Sequence, residues 1–167
     1  VHNNNIAVTI HAGEAYGPAS IHQAIHVCGA HRIGHGCRLR EDGDLLHYVN
    51  DHRIALECCP SSNVQTGAVR ELRRHPLKLY HDLGLRVTIN TDNRLITDTT
   101  VSRELHLCHT QMGLDQDDIH RVIINGFKAA FLPFHQKQTM VRTVSRELSN
   151  AAPAVEPLAS HRADVDA

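Results

Sequence analysis

The stretch VTIHAGEAYGP, Val8 to Pro18, joins three signals within eleven residues. A β-branched run ends in His11, Gly13 permits a tight turn, and Glu14 stands three residues beyond the histidine. A β-branched run that alternates little reads as a strand buried on both faces, so Ile6 to Ile10 is expected to be such a strand. Imidazole and carboxylate groups at its end bind metal ions or move protons. The same arrangement returns at RIGHG, Arg32 to Gly36, and at VTINTDN, Val87 to Asn93.

Working outward, Pro18 and Ser20 open a helical stretch, ASIHQAIHVCG, which Gly29 closes. HRIGHG reads as a second strand, EDGDLLHYVNDH as a helix, and RIALECCP as a third strand stopped by Pro60. SSNVQTGAVRELRRH is expected to be a loop leading to Pro76, which starts the helix PLKLYHDLG with Gly84 as its C-terminal cap. LRVTIN is the fourth strand. Helices from Thr99 to Met112 and Asp115 to Phe131 follow, with a third over His135 to Leu148.

Strands alternating with amphipathic helices predict parallel β/α units. Four of them form a small open sheet or half of an eight-fold barrel. A whole barrel needs about 250 residues, so the 167 residues here are too few to close one. A chain that starts at Val1, directly before a strand, is expected to be a piece of a larger protein. The expected organisation is a half-barrel over residues 1–134, a C-terminal helix over 135–149 and a disordered tail over 150–167. That tail, NAAPAVEPLASHRADVDA, has two prolines and no periodicity.

Lys and Arg number 17 against 18 Asp and Glu, which gives no electrostatic footprint for nucleic acid or an anionic membrane. No apolar run approaches the roughly 18 residues of a membrane span. The opening VHNNN lacks the basic and apolar regions of a signal peptide. Five cysteines without a C-x-x-C pair argue against a disulfide framework and for a reduced, cytoplasmic setting.

In β/α barrels the active site lies at the C-terminal ends of the strands. His11, Glu14, His35, Asp92 and Asn93 all fall there. Such a set suits a hydrolytic metal centre. Zinc binds imidazole and carboxylate and brings the pKa of bound water to about 7.

HAGE, RIGHG, CCPSSNVQTG and INTDN, in this order, resemble the second half of the adenosine deaminase family, among the metal-dependent amidohydrolase barrels. The resemblance runs from about Ile6 to about Leu132 and includes INGFKAAFLP. It implies a fold, the C-terminal half of a TIM-type (β/α)8 barrel with additional C-terminal helices. It also implies one zinc ion, with His11 and Asp92 as ligands and Glu14 carrying a proton to purine N1. His35 would orient the attacking oxygen, Asn93 would face the ring near N7, and Gly13 would line the substrate. The implied reaction is hydrolytic deamination of adenosine to inosine and ammonia, and of 2'-deoxyadenosine likewise, in purine salvage. Adenine or a modified adenine nucleoside is the alternative substrate. The H-x-E…P-C-x-x-C signature of the cytidine-deaminase type is absent.

Two departures from the family pattern stand out. Family members commonly carry a second aspartate where this chain has Asn93. The family also takes two zinc ligands from an H-x-H motif, and no H-x-H occurs in these 167 residues. His11 and Asp92 alone fall short of the three protein ligands of catalytic zinc sites. The chain is therefore expected to need a missing barrel half or self-association, or to be a non-catalytic fragment. His22 with His26, and His106 with His109, read as ordinary helix residues, and vicinal Cys58 and Cys59 as core packing. Ser61 and Ser62 lack a G-x-S-x-G elbow, and the polar SSNVQTG loop reads as pocket rim. RELRRH reads as a solvated helix face.

Overall fold

The computed structural model describes residues 6–151. Four strands, β1 (Thr9–Ala12), β2 (Arg32–His35), β3 (Ala55–Cys58) and β4 (Val87–Ile89), form one sheet. Helix α1 (Pro18–His26) joins β1 to β2, and α2 (Gly43–Asp51) joins β2 to β3. Helices α3 (Pro60–Gln65) and α4 (Leu77–Asp82) lie between β3 and β4. After β4 come α5 (Arg94–Thr97), α6 (Val101–Gln111), α7 (Gln116–Ala129) and α8 (Phe134–Asn150). The four strands and the parallel β/α alternation expected from the sequence are present.

The strand order is β1-β2-β3-β4, and each strand is parallel to the next. Right-handed crossovers in an unreversed order keep the connecting helices on one side of the sheet. That is the arrangement of a barrel segment; a doubly wound sheet reverses its strand order. Register divides the two faces. Ile10, Ile33, Leu56 and Val87 stand in one row and belong to the core with Ile21, Val49, Leu77 and Tyr80 from the helices. The next row, His11, Gly34, Glu57 and Thr88, points to the opposite face.

On that opposite face Arg32 and Glu57 form an ion pair at 2.9 Å, although the Nε–H is not aimed along the contact. Glu57 also accepts from Thr9 Oγ1, and the Arg32 guanidinium lies 3.5 Å from the centre of the Phe131 ring. Arg32 Nη1 donates to Ala129 O at 3.1 Å, which ties the end of α7 to the sheet.

Several expectations need correction. β1 runs from Thr9 to Ala12, later than expected, and is not buried on both faces, since Thr9 and His11 are exposed. It is an edge strand, and nothing among the described residues covers its second face at these positions. The segment read as a loop after Pro60 contains α3, whose first residue is Pro60 itself, and a 3-10 turn at Leu72–Arg74. Proline is pre-set for the first helical position, so the residue that stops β3 also starts a helix. Helix α5 was not anticipated, because four residues show no periodicity. Most of the expected tail, residues 152–167, lies outside the described residues. The expected C-terminal helix corresponds to α8, which packs against α7. Among the described residues no helix is long and apolar enough to cross a membrane.

Candidate active site

The sheet and its turns bring four of the expected residues to one end. His11 lies within β1, and Gly34 on β2 faces it. A Cβ at Gly34 would stand 2.5 Å from His11 Cδ2, so only glycine lets the imidazole lie over the neighbouring strand. His35 closes β2 and is buried, with 1% of its surface exposed. Its Nε2 lies 3.3 Å from His11 Nδ1 and 3.5 Å from Glu14 Oε2. The His11 and His35 rings meet edge to face with centres 4.6 Å apart.

The turns that aim these groups use uncommon backbone. His35 and Asp92 both have positive φ, 67° and 58°, where non-glycine residues are rare and strained conformations cluster at functional sites. Gly13 has φ 67°, its N–H donates to Ser20 Oγ at 2.9 Å, and its carbonyl accepts from Arg38 N at 2.8 Å. Both of its backbone groups are thus engaged in the turn that swings Glu14 back over the strand end.

Helix α3 supplies groups to which the sequence reading gave no individual role in the site. Ser62 Oγ donates to Asp92 Oδ2 at 2.7 Å. Asn63, fully buried, donates from Nδ2 to Glu14 Oε1 at 3.0 Å and lies 3.1 Å from His35 Nδ1. Thr66 Oγ1 also donates to Glu14 Oε1, at 3.0 Å. The buried His75 stands behind Asn63, with Nε2 3.1 Å from Asn63 Oδ1. SSNVQTG, expected at the pocket rim, has Thr66 and Gly67 lining a cavity beside Glu14, and its side chains also hold the expected catalytic groups. The signal for this was a cluster of short hydrogen-bonding side chains directly after a Pro-initiated helix start.

Electrostatics follow burial. Desolvation holds the His35 pKa below its ordinary value, while the Glu14 carboxylate pulls it up. Burial brings His75 down to about 4, with Arg40 and His35 adding to the effect. Burial pushes the Cys58 and Cys59 thiols up, and their sulfurs face backbone carbonyls, as expected of packing residues. All five cysteines are free.

Asn93 has a structural task. It caps α5, its Oδ1 accepting from Leu95 N at 3.1 Å and Ile96 N at 3.2 Å. The histidines read as ordinary helix residues lie on α1 (His22, His26) and α6 (His106, His109). His109 Nδ1 contacts Leu114 O at 2.8 Å, and His22 and His26 stack in a surface row with Tyr48 and His52.

As a metal centre the site is right in kind and short in number. His11 and Asp92 are exposed imidazole and carboxylate donors, the chemistry zinc favours. His11 comes from the first strand and Asp92 from the turn after the last, and no group of three or more His, Cys, Asp or Glu among the described residues is placed to hold an ion.

Known proteins share this framework. The family model described as adenosine deaminase matches residues 1–147. An adenosine deaminase of Mycobacterium leprae is 46% identical over 153 residues, which cover 85% of this chain and 42% of the relative. The chain thus spans less than half the length of the curated relatives it matches. Among solved structures, an adenine deaminase from Arthrobacter aurescens superposes with a TM-score of 0.84 at 25% identity, covering 89% of this chain and 45% of that one. A Burkholderia ambifaria amidohydrolase with bound Zn gives 0.82 at 20% identity, over 89% of this chain and 42% of that one, a likeness of fold. With a family match over most of its length and relatives at this identity, the chain belongs to the adenosine deaminase family.

Proposed function

We propose that the whole protein hydrolyses the 6-amino group of adenosine to give inosine and ammonia, and that of 2'-deoxyadenosine to give 2'-deoxyinosine and ammonia, in purine salvage. The carrying observation is the convergence of His11, Glu14 and His35 at one sheet end, with Asp92 held by Ser62 on the helix that also holds Glu14. Identity of 46% to an adenosine deaminase supports the same substrate.

In this reading His11 and Asp92 are two ligands of a single zinc ion, and other ligands come from a second barrel half or another copy. The metal supplies Lewis acidity that makes water a nucleophile near neutral pH. This chain's residues then do the following. Glu14 carries a proton to purine N1, which makes C6 electrophilic, and His35 orients the incoming oxygen at its Nε2 edge. A carboxylate held by two donors on one oxygen is oriented for such a transfer. Asn93 presents its amide towards the purine ring while its oxygen caps α5. A ligand reaching the Gly13 N–H would have to displace Ser20 Oγ. Free cysteines fit a cytoplasmic setting.

A second reading concerns the chain alone. With no three-donor metal group among the described residues, it is a non-catalytic half until completed. Adenosine turnover, measured with zinc, tests both readings in the chain alone and in a chimera that carries these residues in place of the matching segment of the M. leprae relative. The chimera is expected to turn over and the chain alone to be silent. Glu14→Gln in the chimera is expected to lower kcat at least ~10²-fold, the usual scale of positioned proton transfer, with zinc content unchanged. Undiminished turnover would remove Glu14 from the mechanism. Preference for adenine over adenosine in the same assay would favour the alternative substrate.

A further inference from the structure

His75 is a buried histidine with no place in the reaction above, yet it ends a directional chain of hydrogen bonds. Leu77 N–H donates to His75 Nδ1 at 3.1 Å, so that nitrogen carries no proton. In a neutral imidazole the proton must then sit on Nε2, which faces Asn63 Oδ1 at 3.1 Å. Burial keeps His75 neutral at ordinary pH. The donor at Oδ1, joined by Cys59 N–H at 3.4 Å, fixes which way the Asn63 amide is turned. Both Nδ2 protons therefore point the other way. One goes to Glu14 Oε1 at 3.0 Å and one to His35 Nδ1 at 3.1 Å.

Two consequences follow. Glu14 Oε1 already accepts from Asn63 and from Thr66, so a proton on Glu14 belongs on Oε2. His35 Nδ1 is an acceptor, so neutral His35 carries its proton on Nε2, the nitrogen that faces Glu14 Oε2 and His11. We infer that His75, acting through Asn63, is a positioning residue that reserves Oε2 of Glu14 as the proton-carrying oxygen and holds His35 as its Nε2–H tautomer. The inference deepens the proposed function and rests on it for the catalytic roles of Glu14 and His35. The tautomers themselves do not depend on it. Outer-shell partners of this kind typically change activity by about 10–100-fold when altered.

The experiment is long-range 1H–15N correlation of the histidine rings in the 167-residue chain without metal, above pH 7. The wild type is expected to show His35 and His75 as Nε2–H tautomers. His35 in the Nδ1–H form would overturn the inference before any variant is made. Asn63→Asp keeps the acceptor for His75 but removes both donations, and His35 is expected to move to Nδ1–H. His75→Phe is expected to mix the two tautomers of His35, and His75→Gln, which can still donate to Asn63, to restore Nε2–H. A His35 tautomer unmoved by both Asn63→Asp and His75→Phe, in variants with wild-type circular dichroism, would also overturn it. In the chimera, His75→Phe should lower kcat for adenosine about tenfold or more with KM little changed, and His75→Gln should recover most of the loss. Tautomers that shift as expected in a chimera without turnover would uphold the relay and sink the deaminase reading instead.

Discussion

Gly34 shows how much one missing side chain decides. Its neighbour in register is His11, and a methyl group there would stand 2.5 Å from Cδ2 and 3.2 Å from Cγ of the imidazole. Gly34→Ala is expected to destabilise the chain by about 1–3 kcal/mol, the usual cost of overpacking. The clash partner can be removed, so His11→Ala combined with Gly34→Ala should cost less than the sum of the two single changes. Denaturant unfolding checks this, and strict additivity would mean that the ring moves aside freely. His75 sets a pH dependence at the same scale. Its ordinary pKa of 6.5 falls to about 4 in the folded chain, chiefly through burial. Between those values the unfolded chain takes up a proton that the folded one refuses. Stability is therefore full above pH 6.5 and is lost as pH falls towards 4, by a contribution on the order of 3 kcal/mol. A melting temperature that falls less steeply over this window in His75→Gln than in the wild type is the expected result. Parallel slopes would assign the acid sensitivity elsewhere.

Among the elements, α3 matters most because it is too short to be helical by itself. Six residues cannot repay helix nucleation in water, so tertiary contacts must hold it. One of them is Glu104 on α6, fully buried, whose Oε2 accepts from Ser61 N at 3.0 Å in the first turn of α3. Its Oε1 accepts from Thr99 Oγ1 at 2.6 Å. The carboxylate replaces the side-chain cap that Cys59 does not provide and complements the positive end of the helix. Glu104→Ala would leave the buried Thr99 hydroxyl and the half-buried Ser61 N–H without this partner and is expected to cost about 2–4 kcal/mol. Through α3 it should also free Ser62 from Asp92 and Asn63 from Glu14. Amide hydrogen exchange across residues 61–66 should rise in the variant beyond what global unfolding explains. An increase confined to α6 would show that α3 stands without it. α4 plays a similar part from the other side, since Tyr80 donates to Gly36 and Cys37 carbonyls and accepts from Arg40 N, all within 3.1 Å. It clamps the turn that follows His35.

At the scale of the whole molecule the sheet has two lateral edges. On one, Asn125 of α7 reaches Val87 O at 3.1 Å and occupies a single carbonyl of β4. On the other, β1 has β2 as its only neighbour in the described sheet. Both ends of the site carry exposed apolar side chains, Tyr16 at 80% after β1 and Leu95 and Ile96 at 94% and 78% on α5. Open edges and exposed apolar groups favour association. The isolated chain is expected to elute as dimers or larger species, with the apparent mass falling on dilution. A monomer at all concentrations, by size exclusion with light scattering, would show that these surfaces are solvated without cost.

The sequence by itself determined the four parallel β/α units and the placing of His11, Glu14, His35 and Asp92 at one end of the sheet. Buried strands, strand-ending glycines and helix-starting prolines are local signals, and they act over a few residues. The four ordered motifs carried the family as well. What only the tertiary structure decided depends on contacts between distant segments. Asn63 reaches Glu14 across 49 positions and Ser62 reaches Asp92 across 30, and no periodicity encodes such pairs. Helices α3 and α5 are shorter than a hydrophobic repeat, so they became visible only with their caps and anchors in place. The exposure of β1 was misread for the same reason. Composition tells that a strand is able to be buried on both faces, and only the neighbours present in the fold determine whether it is.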